Sequence, residues 1–252
     1  MPREARVDIA GFHYVANRSE AGKKVFKQDK DKAEFLSILC RSCARYEAKI
    51  DAFFISDSAY HLIIQTTKAN LSLLMRQVSS AYALYFNKKS KNSGSIWRDR
   101  FFSRVINGKS EMLLVHKYIA LLPKIEKLKK DPLEYRYSYL TTIFSDSLQL
   151  DCLEKHIKTK KLEGFLSGNF EQTDMDAFRQ FKRMANRGII KEKNAEEQEP
   201  LEKIFKKIKS KEKRDKKIKK AFLSGYTQNE IARYLELSQS SISKIVNREG
   251  NA

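Results

Sequence analysis

The order of strand-like and helix-like segments in the first half of the chain constrains its fold most. Residues 7–15 have the β-branched and aromatic content of a strand, and residues 30–50 carry apolar positions at helical spacing. Two further strand-like runs, residues 52–56 and 59–66, follow with only a short bend or bulge between them. The pattern therefore predicts a strand, a helix and a close pair of strands.

The same alternation continues to residue 123. Residues 70–90 return to a helical period with Asn70 as the N-cap, and residues 96–106, IWRDRFFSRVI, alternate like a half-buried strand. A short helix over residues 111–123 is predicted to stop near Pro123. These segments predict an α+β domain of about 140 residues, a sheet with helices packed on it.

Beyond this domain the sequence predicts helices without clear strands. The polar segment ending at Pro200 is the best candidate for a linker. Residues 201–220 contain eleven Lys and Arg against three acidic residues, and part of this stretch is predicted to form a helix with a very basic exposed face. We therefore predict three regions, a first domain over 1–145, a helical extension and linker over 146–200, and a basic carboxy-terminal domain over 201–252.

Charge and cysteine content narrow the function classes. The 252 residues include 50 Lys and Arg and 31 Asp and Glu, a formal net charge of +19 that favours nucleic acid over a membrane surface as partner. No apolar window of about 18 residues exists and the amino terminus lacks a signal core, so we expect a cytoplasmic protein.

With three cysteines, a disulfide framework is not expected, and Cys40 and Cys43 are interpreted as buried helix thiols.

Residues 221–250 carry the sharpest local pattern. Thr227 and Glu230 have capping-box spacing, which predicts a helix that ends near Leu235, and a second helix restarts at Ser238. This arrangement resembles a helix-turn-helix DNA-binding module. An ordinary helical hairpin is the alternative. Five outward residues of the second helix would contact base edges and phosphates of duplex DNA: Gln239, Ser240, Ser241, Ser243 and Lys244.

An ordered series of sequence blocks between residues 2 and 140 resembles the REP-associated tyrosine transposases, single-tyrosine transposases of the HUH superfamily. The blocks are PREAR, FHYVANRSEAGKKVF, KDKAEFLSIL, NLSLLMRQVSSAYALYFNKK, GSIWRDRFFSRVI, KYIALLP and DPLEYRYSYL. The resemblance implies an RRM-like, ferredoxin-like antiparallel sheet with helices. It also implies a domain that binds single-stranded or hairpin DNA and attacks a phosphodiester with a tyrosine, and it leaves a homodimer open.

The family's catalytic motif is incomplete in this sequence. The resemblance places the nucleophile at Tyr118 and the two metal-binding histidines at Ala59 and His61. The third ligand, four residues after the tyrosine, falls on Leu122. Alanine and leucine side chains have no lone pairs for a cation, so we expect a DNA-binding domain that has lost nicking and holds no metal.

One alternative is an active enzyme with a rebuilt Mg or Mn site. Asp57 and Gln65 would share the face of His61 under strict alternation, and Glu111 precedes Tyr118 by two helical turns. A second alternative is an RNA-binding or assembly role for the sheet, because basic charge does not distinguish DNA from RNA.

Arginines are the predicted DNA contacts of the first domain. By resemblance, Arg3 and Arg6 belong to a basic amino-terminal segment that touches DNA. On the strand over 96–106, Arg98, Arg100 and Arg104 would form a basic strip. The aromatic residues between these arginines would either stack on bases or belong to the core: Trp97, Phe101 and Phe102.

Overall fold

A computed structural model describes residues 8–91, 93–145, 148–154, 159–166, 168–183, 200–206, 210–223, 226 and 228–246. The chain divides into two compact units, Met1–Met184 and Ala185–Ala252. The segment predicted as a separate helical extension contributes its helices to the first unit. Arg3, Arg6 and Thr227 lie outside the described residues, so the roles predicted for them stay predictions.

The first unit contains a four-stranded antiparallel sheet in the order β2-β3-β1-β4. The succession β1, α1, β2, β3, α2, β4 with this strand order is the ferredoxin-like arrangement, which confirms the predicted α+β class. In chain order the elements are β1 (Gly11–Arg18), α1 (Asp29–Arg45), β2 (Ala48–Ile55), β3 (Ala59–Thr66), α2 (Leu71–Ser90), β4 (Phe102–Val105), α3 (Gly108–Ile125), α4 (Tyr139–Ser145), α5 (Thr159–Leu166) and α6 (Gln172–Arg183).

Each face of the sheet carries its own helices. On one face, aromatic side chains from α1, α2 and the intervening loops surround Phe35, whose ring lies 4.9 Å from Tyr60 and 5.3 Å from Tyr82. On the opposite face, α3 lies against β2 and β3, while α5 and α6 pack on α3. The residues of β1 and β3 that point to this second face include Tyr14 and His61. This second face is the one that positions the candidate site.

The end of α1 departs from the predicted helix over residues 30–50. Gln28 and Asp31 form a capping box at its start, but the helix ends at Arg45 and Ala48–Ile50 already belong to β2. Glu47 adopts a left-handed φ of 53° between the two elements. A backbone reversal at Glu47 interrupts the helix, although apolar residues continue at helical spacing beyond it.

The start of α2 is capped from a distance. The Asp8 carboxylate accepts hydrogen bonds from the Ser72 amide and hydroxyl, at 3.1 Å and 3.0 Å. Asn70 occupies the predicted N-cap position, but its side-chain amide instead donates to the Tyr46 carbonyl at 2.9 Å. The helix was predicted correctly, and the side chain that caps it lies outside the local sequence.

Two other predicted boundaries had different outcomes. The strand predicted over residues 96–106 is reduced to Phe102–Val105, because Trp97 holds the preceding loop against α2 through an indole N–H that donates to the Ser79 carbonyl at 3.2 Å. Helix α3 ends at Ile125, two residues past Pro123, which agrees with the predicted stop near that proline. Proline removes one amide donor, and here the helix ends within the following turn regardless.

The cysteine prediction was also wrong in part. Cys40 on α1 and Cys152 form a disulfide with a Cα–Cα distance of 5.2 Å. The same segment adds a parallel bridge to β2 between Ile50 and Leu153. Cys43 is buried as expected, and burial raises the pKa of its thiol to about 12. A sequence separation of 112 residues hides the Cys40 partner from local reasoning.

The second unit consists of helices around its own small core. They are α7 (Leu201–Ile204), α8 (Lys211–Leu223), α9 (Gln228–Tyr234) and α10 (Gln239–Val246). The buried contacts are made by Ile204, Phe205, Ile218, Ala221, Ile231, Ala232 and Ile242. The basic stretch over 201–220 thus includes α7 and most of α8, in agreement with the prediction that part of it is helical. In the described part of the chain, no helix has the length and apolarity needed to cross a membrane.

Candidate functional site

Tyr118 on α3 faces His61 on β3, as the sequence resemblance implied. Their rings meet edge to face with centroids 5.7 Å apart. The Tyr14 hydroxyl lies 2.7 Å from His61 Nδ1 and can donate to that nitrogen when the imidazole is neutral. His61 therefore forms a hydrogen bond inside an aromatic cluster, with Tyr14 and Phe54 as further ring neighbours.

The two remaining ligand positions contain hydrocarbon side chains. Ala59 begins β3 opposite Arg18 and shares the face of His61, since residues two apart on a strand point the same way. Leu122 lies one turn after Tyr118 on α3 and is buried among the core residues. Neither side chain can donate a lone pair, so the donor set does not fit a divalent metal ion.

Helix α6 covers this face of the sheet. The Phe178 ring stacks on Tyr118 with centroids 3.7 Å apart and is only 2% exposed. Phe178 also meets Tyr14 edge to face at 5.4 Å, and Phe170 packs against the same Tyr118 ring at 5.4 Å. Aromatic rings therefore cover part of Tyr118, whose side chain is half-buried.

Polar contacts hold α6 in this position. Lys117 of α3 forms an ion pair with Asp174 at 2.7 Å, and both side chains are only about a quarter exposed. Farther along α6, the Arg104 guanidinium lies 4.6 Å from the centroid of the Phe181 ring. Because these contacts bracket Phe178 on both sides along the helix, the aromatic cover is anchored at more than one point.

The electrostatics of the site oppose nucleophilic attack. Burial, together with the Glu126 carboxylate, raises the pKa of Tyr118 to about 12. Burial also raises the pKa of Tyr14, with Tyr118 and Glu126 adding to the shift. A tyrosine nucleophile is activated by a base or a metal that lowers its pKa, and the surroundings of Tyr118 act in the opposite direction.

His61 is neutral at physiological pH. Burial lowers its pKa to about 3, and the positive charge of Lys182 on α6 acts in the same direction. The imidazole can therefore accept a hydrogen bond but carries no charge that would attract DNA. Its placement fits a packed, hydrogen-bonded side chain.

The carboxylates that would form a rebuilt metal site make ion pairs and hydrogen bonds with other residues. Asp57 lies in the turn before β3 and pairs with Lys32 at 3.0 Å and Lys24 at 3.3 Å. Glu111 accepts a hydrogen bond from the Asn107 amide at 2.6 Å and pairs with Arg104. Gln65 does share the face of His61. Within the described ranges, no group of three His, Cys, Asp or Glu residues is placed to hold a metal ion.

The predicted basic strip is only partly realised. Arg98 and Arg100 are exposed on the loop before β4, but Arg104 is 1% exposed and contacts Glu111 and Phe181. Arg104 therefore supports α6, and its side chain is buried away from solvent. Trp97 and Phe101 belong to the core, whereas Phe102 is partly exposed near Lys182.

In the second unit, α9 and α10 are joined by a tight turn at Leu235–Ser238. Glu236 takes a left-handed φ of 54° in this turn, and the Ser241 amide donates to Ser238 Oγ at 3.3 Å, so Ser238 caps α10 as predicted. The five residues predicted to read DNA all lie on α10: Gln239, Ser240 and Lys244 are exposed, and Ser241 and Ser243 are half-buried.

The sequence did not reveal the residues that close the site. Phe178 and Phe181 are three positions apart on a polar helix and share a face, which was a visible sign that this helix packs on something. Glu126 follows Tyr118 by eight residues and was also missed. Nothing in the local pattern indicated that either group would lie near Tyr118.

Comparison with known proteins relates part of this chain to a family of transposases. Residues 11–121 match the family model described as transposase, IS200-like, which confirms the resemblance drawn from the sequence. A solved structure described as a REP-associated tyrosine transposase bound to a REP hairpin is similar at 15% identity and a TM-score of 0.47. The similarity covers 63% of this chain and 100% of that one. No curated protein matches the chain.

Proposed function

We propose that this chain, in which residues 11–121 form an IS200-like transposase domain, binds DNA at specific sites without nicking it. The sheet domain would recognise hairpin or other structured DNA, and α8–α10 would read duplex DNA as a helix-turn-helix. With a net charge of +19 the chain favours a polyanionic partner, in keeping with a cytoplasmic DNA-binding protein.

One observation supports the loss of nicking above the others. Tyr118 occupies the nucleophile position, but its ring is stacked under Phe178 and its pKa is raised to about 12. Ala59 and Leu122 at the ligand positions leave His61 as a single imidazole, and one imidazole is a poor site for Mg²⁺ or Mn²⁺. The raised pKa of Tyr118, the ring stacked on it and the hydrocarbon side chains at the ligand positions all support the proposed loss of nicking.

The helix-turn-helix proposal draws on the surface of the second unit. Exposed Gln239 and Lys244 lie on α10, where Gln can pair with adenine and Lys with phosphate. Helix α8 adds lysines on its exposed positions, which would supply salt-dependent contacts to the DNA backbone. Together these residues would give the second unit both base readout and backbone affinity.

A nicking assay tests the absence of activity. Native chain and Tyr118→Phe are incubated with end-labelled hairpin and single-stranded DNA in Mg²⁺ and in Mn²⁺. We expect both proteins to bind the hairpin with equal affinity and to leave it intact. Cleavage by the native chain that disappears in Tyr118→Phe would overturn the proposal in favour of an active transposase.

A second experiment tests the duplex reader. In the full chain, Gln239→Ala combined with Lys244→Gln should weaken specific duplex binding by at least ~5–150-fold, since a bidentate base contact contributes about 1–3 kcal/mol and the lost phosphate contact weakens binding further. Lys203→Gln removes an exposed charge from α7 and serves as the control. Equal duplex affinity of all three proteins would refute the assignment. A hairpin of RNA with the same sequence tests the RNA-binding alternative in parallel.

A further inference from the structure

A groove of about 540 Å³ lies on the first unit between α2 and the loop before β4. Arg76 of α2 lines one wall, and Arg98 and Arg100 of the loop line the other. Serine hydroxyls and the Asn17 amide add neutral hydrogen-bonding groups along the groove. It lies away from Tyr118, which belongs to the opposite face of the sheet, and it plays no part in the site already described.

The loop that carries two of these arginines is fixed in place. The Trp97 indole donates to the Ser79 carbonyl of α2 at 3.2 Å, and its ring meets Tyr60 edge to face at 5.5 Å. The next residue is tied to the sheet, since the Arg98 amide donates to the Arg18 carbonyl at 3.1 Å. A ligand in the groove would therefore contact arginines on a preformed loop. The free-energy cost of ordering this loop on binding would be small.

The side chains that line the groove carry a positive net charge. Three arginines and one carboxylate, Asp99, line it, which gives a formal charge of 3 − 1 = +2. Asp99 lies 3.9 Å from the Arg98 guanidinium, but both side chains are more than half exposed, so this contact is weak. The guanidinium groups therefore remain available to a stronger anion, and their planar donor geometry suits phosphate oxygens.

The aromatic residues of the loop indicate which part of a nucleic acid the groove would bind. Trp97 and Phe101 are only 8% and 6% exposed, so neither offers a ring face on which a base could stack. Proteins that bind single strands without sequence preference combine positive charge with such stacking surfaces. Charge without an exposed ring is suited to the sugar-phosphate backbone of a duplex.

We infer that the groove formed by Arg76, Arg98 and Arg100 binds the phosphodiester backbone of a duplex DNA stem. The inference rests on the DNA-binding function proposed above and assigns a backbone contact site to it. The groove positions the stem and carries no sequence preference. Base recognition is left to other parts of the chain.

The test measures binding of the full chain to a DNA hairpin across salt concentrations. The triple variant Arg76→Gln, Arg98→Gln, Arg100→Gln removes three cations and keeps polar side chains. The matched control carries Arg41→Gln, Arg136→Gln and Arg179→Gln, three arginines of the same unit that are 65%, 58% and 57% exposed. Thermal unfolding of each protein confirms that the fold is retained.

The expected result is a change in salt dependence confined to the groove variant. Each lost phosphate contact lowers the slope of log K against log salt by about 0.9, so three contacts lower it by about 2–3. Between 50 and 200 mM salt, the native chain should then lose about 40-fold more affinity than the groove variant. Ethylation interference should show stem phosphates whose contribution disappears in the variant.

Each other outcome overturns a defined statement. Suppose that the native chain binds DNA but the groove variant has an unchanged salt slope, or that the groove and control variants change equally. Either result refutes the groove as a backbone contact site and leaves the proposed function intact. An effect seen only with single-stranded DNA, or only with an RNA hairpin of the same sequence, refutes the duplex DNA assignment. A native chain that binds no DNA refutes the proposed function and the groove together.

Discussion

Removing the Phe178 ring should uncover Tyr118 without restoring chemistry. In Phe178→Ala the lost side chain is one that is 2% exposed and stacks on Tyr118 at 3.7 Å. Deleting a buried phenylalanine ring costs ~3–5 kcal/mol in a domain that cannot collapse around the cavity. In this protein the variant can instead release α6 from the sheet. The loss in free energy of unfolding therefore cannot exceed the free energy with which α6 packs on the rest of the unit.

The anchors that remain decide how much of α6 stays bound. They include the ion pair of Lys117 with Asp174 and the contact of Arg104 with Phe181. A partly exposed ion pair contributes about 1 kcal/mol or less, and a cation–π contact ~0.5–2 kcal/mol. Both together are smaller than the cost of the cavity, so we expect α6 to leave the sheet in the variant.

Tyrosine titration reports this release. The pKa of Tyr118, about 12 in the native chain, should fall towards its ordinary value of about 10 once the ring meets water. The absorbance of tyrosinate, recorded for Phe178→Ala and for Phe178→Ala with Tyr118→Phe, isolates this one group. Phe222→Ala, which removes a ring already 39% exposed in the second unit, is the control and should change nothing.

The same variant distinguishes two possible causes of inactivity, the cover over Tyr118 and the missing metal ligands. Since Ala59 and Leu122 are unchanged, Phe178→Ala should leave hairpin DNA intact in Mn²⁺ even though Tyr118 is exposed. Nicking by Phe178→Ala that vanishes when Tyr118→Phe is added would refute this reasoning. It would mean that the cover alone suppresses an otherwise competent site.

Three further predictions concern stability. Asp8→Ala removes the distant cap of α2 and should lower the free energy of unfolding by about 1 kcal/mol in urea titration, and an unchanged midpoint would contradict the cap. Reducing the Cys40–Cys152 disulfide, which closes a separation of 112 residues, should cost ~2–4 kcal/mol, and Cys152→Ser should make stability insensitive to reductant. His61 has a folded pKa of about 3 against an ordinary value near 6.5, so the unfolded chain binds a proton first and stability should fall as pH drops from about 6.5 to 3. Unfolding curves of His61→Gln should lack this component, and an identical pH dependence in both proteins would contradict the buried neutral imidazole.

The sequence predicted the fold where hydrophobic periodicity is the deciding signal. The hairpin of β2 and β3 and the long helix α2 follow directly from alternation and from the helical period. Boundaries failed where a single backbone angle or a distant contact decides them. Glu47 reverses the chain with a positive φ in a stretch that still has helical spacing. Trp97 makes an isolated bridge to Ser19 after β1, while its indole N–H donates to α2.

The candidate site was predictable only as far as a family motif could be laid on the chain. Tyr118 and His61 come together as the resemblance implied. The cover over them was not predicted, because the packing partner of an amphipathic helix is a tertiary property that its own sequence does not specify. Arg104 was predicted to lie in an exposed basic strip because it belongs to a basic, alternating stretch. In the structure it is buried and contacts the Phe181 ring.

The changes at the ligand positions and the cover over Tyr118 are physically linked. A divalent ion with its waters and a DNA strand needs polar, hydrated space beside the tyrosine, and carboxamide or imidazole ligands buried under apolar rings would be left unsatisfied at a cost of ~1–3 kcal/mol each. With Ala59 and Leu122 at those positions, no such penalty arises, and Phe178 can close over Tyr118 and gain ~1.5–3 kcal/mol from burial. Hydrocarbon side chains at the two ligand positions are therefore compatible with an aromatic cover over Tyr118. A chain with a histidine at position 59 is expected to hold α6 less firmly, because the imidazole would need a hydrogen-bond partner on this face.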